Sequence, residues 1–566
     1  MKTPSLALTL ALLGRRIPLV SAFAPSTIKA NNNNLRLLTT QHPAAVVNED
    51  VAVAAAAATT TTSSSSATTT TTAPSTTVPQ ILRDRTGVAL SGLQGKALDW
   101  ADAGYPKAIE IRNVIPVDCF EPDTATSLGY LSISVAGTAL CTVAGVALLH
   151  VLDPANPLTW PLWTAYAAVT GTVAMGNWVL AHECGHGMYM FRYFMSCWLY
   201  CLMRCDLLVV VGWLYMSLSM WSCLFHHHHD HHHHHHPLTI VRQIPYHHHH
   251  HLRRRHHHHH STTGAFSKNK LLQDTVGYII HSIMLVPYFS WQRSHAVHHQ
   301  YTNHMELGET HVPERDFGDA SGVAATKVRS FLMKTFGTET GLNMWGGLQL
   351  FLHLVLGWPA YLLVGATGGH ARGMTNHFYP DPLTTPEQPK KELFPGNWKE
   401  KVWKSDIGVF ATIAAVLTWS LCRGVPEMMA LYGGPLLVVN AWLVTYTWLQ
   451  HTDVDVPHFS DDNHSYVKGA LHTLDRPYDK LDPWGLIDFL HHKIGTTHVA
   501  HHFDSSIPHY KAQVATDAIK EAFPDMHLYE PTPIPQALWR VAKGCAAVEK
   551  RDNRWIWNNE GIEHLL

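Results

Sequence analysis

The chain is predicted to be an all-α membrane protein, with two transmembrane helical hairpins (about four spans plus one embedded segment) and a cap carrying clustered histidines. Three observations predict it. Only 15% of the 566 residues are charged, and 10% are aromatic, with 19 Trp; an ordinary soluble domain carries ~25% charge. Five apolar runs have spanning or near-spanning length. The 45 histidines outnumber both the 41 Lys+Arg and the 43 Asp+Glu, and several fall at helical spacing just outside the apolar runs. The formal net charge of −2 gives no basic field for nucleic acid. Nine Cys without a paired CxxC pattern exclude a disulfide scaffold.

Residues 1–22 read as a signal-like segment: Leu6–Leu13 is apolar, Arg15 and Arg16 follow, and Val20-Ser21-Ala22 fits a small-residue cleavage site. Residues 23–88 are mostly Thr, Ser, Asn and Ala and are expected to be disordered, because such a stretch buries too little apolar area to offset its chain entropy. Ser21-Ala22-Phe23-Ala24-Pro25 ahead of an acid-poor Ser/Thr-rich stretch resembles the bipartite, diatom-like presequences of algae with secondary plastids. That resemblance implies a plastid address; the endoplasmic reticulum is the alternative.

The first hairpin is Ser127–Val151 and Thr159–Leu180, turned at Asp153, Pro154, Asn156 and Pro157. Its polar gap is too short for a domain. Met344–Ala366, Gly408–Cys422 and Met428–Leu449 follow. Any one of these runs alone reads equally well as a buried core helix. Met344–Ala366 carries Gly357-Trp358-Pro359 mid-run, where a proline is expected to break the helix ladder, so it is read as embedded or re-entrant. Gly408–Cys422 and Met428–Leu449 then form the second hairpin, and Thr367–Lys404 lies with the histidines.

Three histidine boxes punctuate this pattern: His182-Glu183-Cys184-Gly185-His186, His295-Ala296-Val297-His298-His299 and His498-Val499-Ala500-His501-His502. Spacings of three and four place side chains on one helix face, so each box presents two or three imidazoles together. Neutral imidazole suits Fe, Zn and Cu. A lone histidine pair is more often surface decoration, but eight imidazoles in three boxes exceed one four-coordinate ion and suit two metals. The boxes resemble those of the membrane-bound acyl-lipid fatty acid desaturases, the omega-6 (delta-12) branch above all. Ser290-Trp291-Gln292-Arg293-Ser294, Tyr301-Thr302-Asn303-His304, Gly308-Glu309-Thr310-His311-Val312-Pro313, Leu449-Gln450-His451-Thr452-Asp453, Gly495-Thr496-Thr497 and Pro508-His509-Tyr510 extend the match from about Ala89 to Ala546. The resemblance implies iron ligands at His182, His186, His295, His298, His299, His498, His501 and His502, the same eight carrying catalysis, with His451 as a further ligand.

One segment interrupts the match. The family continues box one as HECGHGAFS; here His186-Gly187 is followed by Met188, and Ala265-Phe266-Ser267 resumes after residues 188–264. That insert holds an apolar run, Cys197–Phe225, and 20 histidines in four tracts. It can be read as a metal-binding loop, as an insertion with a further span, or as no part of the working enzyme. Parity favours the last: a span there would carry box two across the bilayer from box one, and the insert begins two residues after a ligand. Gly187-Met188-Tyr189 can be encoded with GTATGT, a splice-donor-like sequence, and Thr263-Gly264 with an ACAG acceptor. A retained intron is the expectation. The desaturase domain is thus 89–187 joined to 265–546, and 547–566 is read as a C-terminal tail.

Removing hydrogen from an unactivated methylene exceeds the power of any side chain, so a cofactor carries that step. The resemblance implies two non-haem Fe ions, O2 as co-substrate, and syn removal of two hydrogens to leave a cis double bond, most simply oleoyl to linoleoyl in a lipid-linked chain. No His-Pro-Gly-Gly haem signature occurs in the sequence, so the electron donor is expected to be separate: ferredoxin in a plastid, cytochrome b5 in the endoplasmic reticulum. Asp453, Asp475, Asp488 and Glu309 are candidate acids to orient the imidazoles, against the alternative of solvated loop charges. Cys184 reads as a packing residue; His377 reads as a surface histidine, with an approach to the site as the alternative. Within the family an omega-3 desaturase or a divergent hydroxylase is the alternative. Two other classes compete: a membrane metalloprotease using His182-Glu183-x-x-His186 with Glu183 as base, which leaves boxes two and three unexplained, and a His-rich metal-binding or transport protein, which rests on the insert.

Overall fold

The structure, a computed structural model, describes residues 82–566 apart from Gly87, 100–103, 187–263, 317–322, 388–389, 479–480 and Glu560. The signal-like segment, most of the Ser/Thr-rich stretch and almost all of the insert lie outside the described residues. The helices that position the site are α1 Thr124–Leu149, α2 Trp160–Cys184, α3 Lys270–Ile283, α4 Tyr288–Gln300, α5 Thr338–Val364, α6 Trp398–Arg423, α7 Val425–His451, α8 His498–Phe503, α9 His509–Ala522 and α10 Ile534–Gly544. The described strands, β1 Val548–Arg551 and β2 Arg554–Trp557, form an antiparallel pair.

Four described helices are long and apolar enough to cross a membrane: α1, α5, α6 and α7. α1 and α2 pack together as a helical hairpin, and α6 runs into α7 through Gly424; α2 is not among the four spanning candidates, whereas α5, expected to be embedded, is. Asp123 caps α1 by accepting the Thr126 N–H at 2.8 Å, and Asn156 caps the turn before α2. Within the first hairpin, the Asn177 amide donates to Thr138 Oγ1 at 2.8 Å and to the Ser134 carbonyl. Trp442 of α7 donates to Thr172 Oγ1 of α2 at 2.9 Å. Buried interhelical polar contacts of this kind contribute only about 0.6 kcal/mol each within a bilayer, so apolar packing carries most of the hairpin contact. Trp163 packs on Ala430 and Leu431, and Trp178 on Leu443 within the largest apolar cluster. α2 is less apolar than its neighbours because Trp, Thr, Gly and Asn occupy positions turned toward α1 and α7, and it is buried through most of its second half.

α5 departs from the expectation at Pro359. The helix is not broken there. A π segment, Leu352–Gly357, precedes the proline, and the widened turn relieves the clash with the carbonyl four residues back. The same device recurs in α7, where the π segment Met429–Gly433 precedes Pro435. Both ends of α5 meet cap elements: Leu342 and Trp345 pack with Ala546 and Ile562, while the Tyr361 ring lies 4.6 Å from that of His377.

Two further stretches are more ordered than expected. Leu82–Thr86 and Val88 belong to a turn in which Asp84 accepts the N–H groups of Thr86 and Val88, closed by a bridge between Arg83 and Ala89. Residues 547–566 are part of the fold: Val548, Trp555 and Trp557 pack on Met305, and the His458 N–H donates to the Trp555 carbonyl at 2.9 Å.

A buried ion network ties the cap together. Asp453 receives Arg476 and Arg540, each at 2.6 Å, and Glu530 pairs with the same two arginines. Arg476 also donates to the Leu449 carbonyl of α7, and Arg540 to that of Leu90. All four side chains are buried. Removing one partner from such a set strands the others, at about 3–5 kcal/mol. Asp453→Ala is therefore expected to lower the thermal-unfolding midpoint of the detergent-solubilised protein sharply, whereas Asp118→Ala at the exposed surface leaves it unchanged; equal midpoints would contradict the assignment.

Candidate metal centre

Four separate segments deliver the imidazoles. His182 lies in the last turn of α2 and His186 just beyond its end. His295, His298 and His299 occupy the second half of α4, His451 is the last residue of α7, and His498, His501 and His502 make up half of α8. α8 is only six residues long, and its first turn is held by Asp475, which accepts the Val499 N–H at 2.9 Å and pairs with His527 at 2.7 Å. Gly185 permits a tight approach: a β-carbon there would meet the Trp291 ring at 2.4 Å.

The imidazoles gather into two clusters. Ligand atoms of His182, His186, His295, His299 and His501 lie within 4.8 Å of one another, as do those of His298, His451 and His502. His498 joins the second cluster, its Nε2 lying 3.1 Å from that of His451. All eight box residues and His451 are thus brought together, in groups of five and four. Two nitrogens bound at ~2.1 Å to one ion stand at most ~4.2 Å apart, and the 3.1 Å between His295 Nε2 and His299 Nε2 and the 3.2 Å between His298 Nε2 and His451 Nε2 fall inside that limit.

The donor set fits metal ions on a second ground. His186 Nε2, His501 Nε2 and His502 Nε2 are buried without a hydrogen-bond partner, a costly arrangement unless something else takes those lone pairs. Burial also keeps the rings neutral. It lowers the His186 pKa to about 3 and that of His298 to about 4, and neutral imidazole is the ligand form.

The direct partners of the box imidazoles are hydroxyls and aromatic rings rather than the acids expected. Thr310 Oγ1 lies 2.8 Å from His298 Nδ1, and Thr302 Oγ1 lies 3.1 Å from His502 Nδ1. Trp291 stacks on His295 at 4.6 Å and Trp178 on His182 at 5.3 Å, sealing one side against water. Of the four acids, Asp475 acts on box three through its backbone. Asp488 holds Thr496 and Lys493 in the loop before that box, Asp453 serves the arginine network, and Glu309 faces Arg372. Burial raises the Glu309 pKa to about 7. Neither contact has a local sequence signal: the i+4 spacing from His298 accounts only for the bond of Thr302 to the His298 carbonyl, its contact with His502 is long-range, and Thr310 comes from a loop that folds back.

His377 is a correction. It is fully buried, with Nε2 2.9 Å from Ser294 Oγ in α4, because Thr367–Lys404 folds back onto box two, where the Leu393 carbonyl also accepts from Arg293. Cys184 is a buried packing residue as expected. Glu183 accepts the His509 N–H at 2.6 Å and lies 2.8 Å from its Nδ1, so the carboxylate required by the metalloprotease reading is committed elsewhere.

Two substitutions probe this arrangement by elemental analysis. His451→Ala is expected to remove roughly half of the bound metal, because the five-histidine cluster keeps its ligands. Thr310→Val is expected to weaken metal binding by ~10–100-fold, the usual effect of removing a group that orients a ligand. Unchanged metal content and affinity in both would contradict the two-cluster assignment.

The sequence model of the fatty acid desaturase family matches residues 256–532. A Delta(12) fatty acid desaturase of Calendula officinalis is 30% identical over 443 residues, covering 78% of this chain and 87% of the relative. An omega-6 fatty acid desaturase of the endoplasmic reticulum from Brassica juncea is 29% identical over 441 residues, with the same coverage. An oleoyl-12-hydroxylase of Ricinus communis is 28% identical over 440 residues, covering 78% of this chain and 86% of that one. Helices long enough to span, two imidazole clusters and these similarities lead to one conclusion: the chain belongs to the membrane-bound acyl-lipid fatty acid desaturase family and is an oxidoreductase acting on lipid acyl chains.

Proposed function

We propose that this desaturase is a delta-12 (omega-6) enzyme that converts lipid-linked oleoyl to linoleoyl chains at a di-iron centre held by the eight box histidines and His451. The observation that carries the reading is the division of nine imidazoles into groups of five and four, enough for two ions and without a carboxylate among the donors. Bound iron, with O2 and two electrons, would supply the oxidising power that the protein's own groups lack. The chain's residues would do the rest. The imidazoles hold the ions, Thr302 and Thr310 fix ring orientation, and Trp178 and Trp291 keep water away.

In this reading α1–α2 and α6–α7 cross the bilayer, while α5 lies embedded along the cap, as its two cap-packed ends support. A plastid address with ferredoxin as donor follows from the leader-like segment; the endoplasmic reticulum with cytochrome b5 is the second reading, favoured by the name of the Brassica relative. Residues 188–264 are proposed to be a retained intron. Transcript sequencing across codons 187–265 is expected to find mostly messages lacking them, and abundant messages retaining all of them would overturn that proposal.

The hydroxylase similarity makes one alternative specific. Expression of the chain lacking residues 188–264 in a yeast that makes oleate but no linoleate, with an electron donor supplied, is expected to yield linoleate among the fatty-acid methyl esters. A hydroxylated oleate instead would favour the hydroxylase, and neither product from membrane-resident protein would overturn the reading.

A further inference from the structure

The segment between the second hairpin and box three contains an exposed apolar turn. Trp484 is 89% exposed, Leu486 55%, Phe489 45% and Leu481 43%. The polar groups of the turn point inward. Asp482 accepts the Asp488 N–H at 2.8 Å, and Asp488 accepts from Thr496 at 2.8 Å and from Lys493. Gly485, at φ +69°, supplies the reversal that presents Trp484 outward. The outer face is therefore apolar even though the segment carries two carboxylates.

Its anchor shows where that face lies. The three residues after Phe489 are fastened to the flanks of three long helices, not to their ends. The Leu490 carbonyl is seated on Gly176 of α2, where a β-carbon would meet it at 2.4 Å. His491 Nε2 lies 2.7 Å from the Thr172 carbonyl, and the His491 ring packs on Trp442 of α7. His492 Nε2 lies 2.9 Å from Ser134 Oγ of α1. Gly176 precedes His182 by six residues and Thr172 by ten, so at 1.5 Å per residue the anchor sits ~9–15 Å along α2 from the imidazoles. Ser134 is likewise ~15 Å from the start of α1. The anchor is thus level with the outward faces of the hairpin at Ile133 and Val169, which are also exposed.

We propose that Leu481–Phe489 is a bilayer-immersed lip, a non-spanning segment whose Trp484, Leu486 and Phe489 contact lipid beside the first hairpin. At nine residues it is too short to cross. A tryptophan with satisfied polar neighbours behind it suits the interfacial depth, where aromatic side chains concentrate. Continuity with the lipid-facing surface of α1 and α2 selects lipid over a protein partner. The proposal rests on the two-hairpin topology given above.

Site-specific photo-crosslinking of the full chain in membranes tests it without reference to activity. p-Benzoylphenylalanine is placed in turn at Trp484, at Leu140 on the outer face of α1, and at Lys550, exposed on β1 of the cap. After irradiation, digestion and mass spectrometry, acyl-lipid adducts are expected at 484 and 140 and absent at 550. Adducts at 140 but none at 484 would overturn the lip while leaving the topology intact. A 484 adduct to a second copy of the chain, or to another protein, would overturn it in favour of a protein interface. Loss of lipid adducts at both 140 and 484 would overturn the lip together with the topology.

Discussion

The structure depends on one constraint: nine neutral imidazoles from four distant segments must share one buried volume and direct their lone pairs into two points. A buried nitrogen without a partner is costly, and here several stand together, including His186 Nε2, His501 Nε2 and His502 Nε2. Hydrogen bonding within the protein does not relieve them. Shared ions would, and the arrangement therefore fits a metal centre. Metal affinity would then offset the desolvation that assembly of the site requires.

The rest of the fold serves that convergence. α2 and α7 end at the site, with His182 and His451 in their last turns, so these two helices set the height of those imidazoles. α4 contributes three imidazoles and is buttressed by Ser405 of α6, whose hydroxyl accepts the Phe289 N–H at 2.8 Å. The short helix α8 lacks such length, and Asp475 compensates by capping it. The Asp453–Arg476–Arg540–Glu530 network locks the chain just after His451 to α10 and to the Leu90 strand of backbone, holding a ligand that arrives from the end of a helix.

The histidine boxes were legible because spacing alone places their side chains on one face, whatever the tertiary structure. The long apolar helices were legible because apolar runs of spanning length admit few folds, whereas α2, with its Trp, Thr, Gly and Asn, is not among the spanning candidates. What sequence could not convey was set by long-range return of the chain. His377 reads as a polar surface residue until Thr367–Lys404 is seen to fold against Ser294. The expectation that acids orient the imidazoles failed for Asp453 and Glu309 because arginines distant in sequence, Arg540 and Arg372, claim them first. Thr310 belongs to the Gly308–Pro313 motif, but its contact with His298 arises only where that loop closes on α4. Pro359 was expected to end a helix, but a π segment accommodates it at a position that local rules do not reveal.

The central claim is that five plus four imidazoles hold two iron ions. It is tested most directly by elemental analysis of the purified protein after expression in iron-sufficient medium. The account predicts about two iron ions per chain, the number nine nitrogen donors can serve at four or five each, with little zinc. A single zinc ion per chain, or no stoichiometric metal in folded protein, would contradict it.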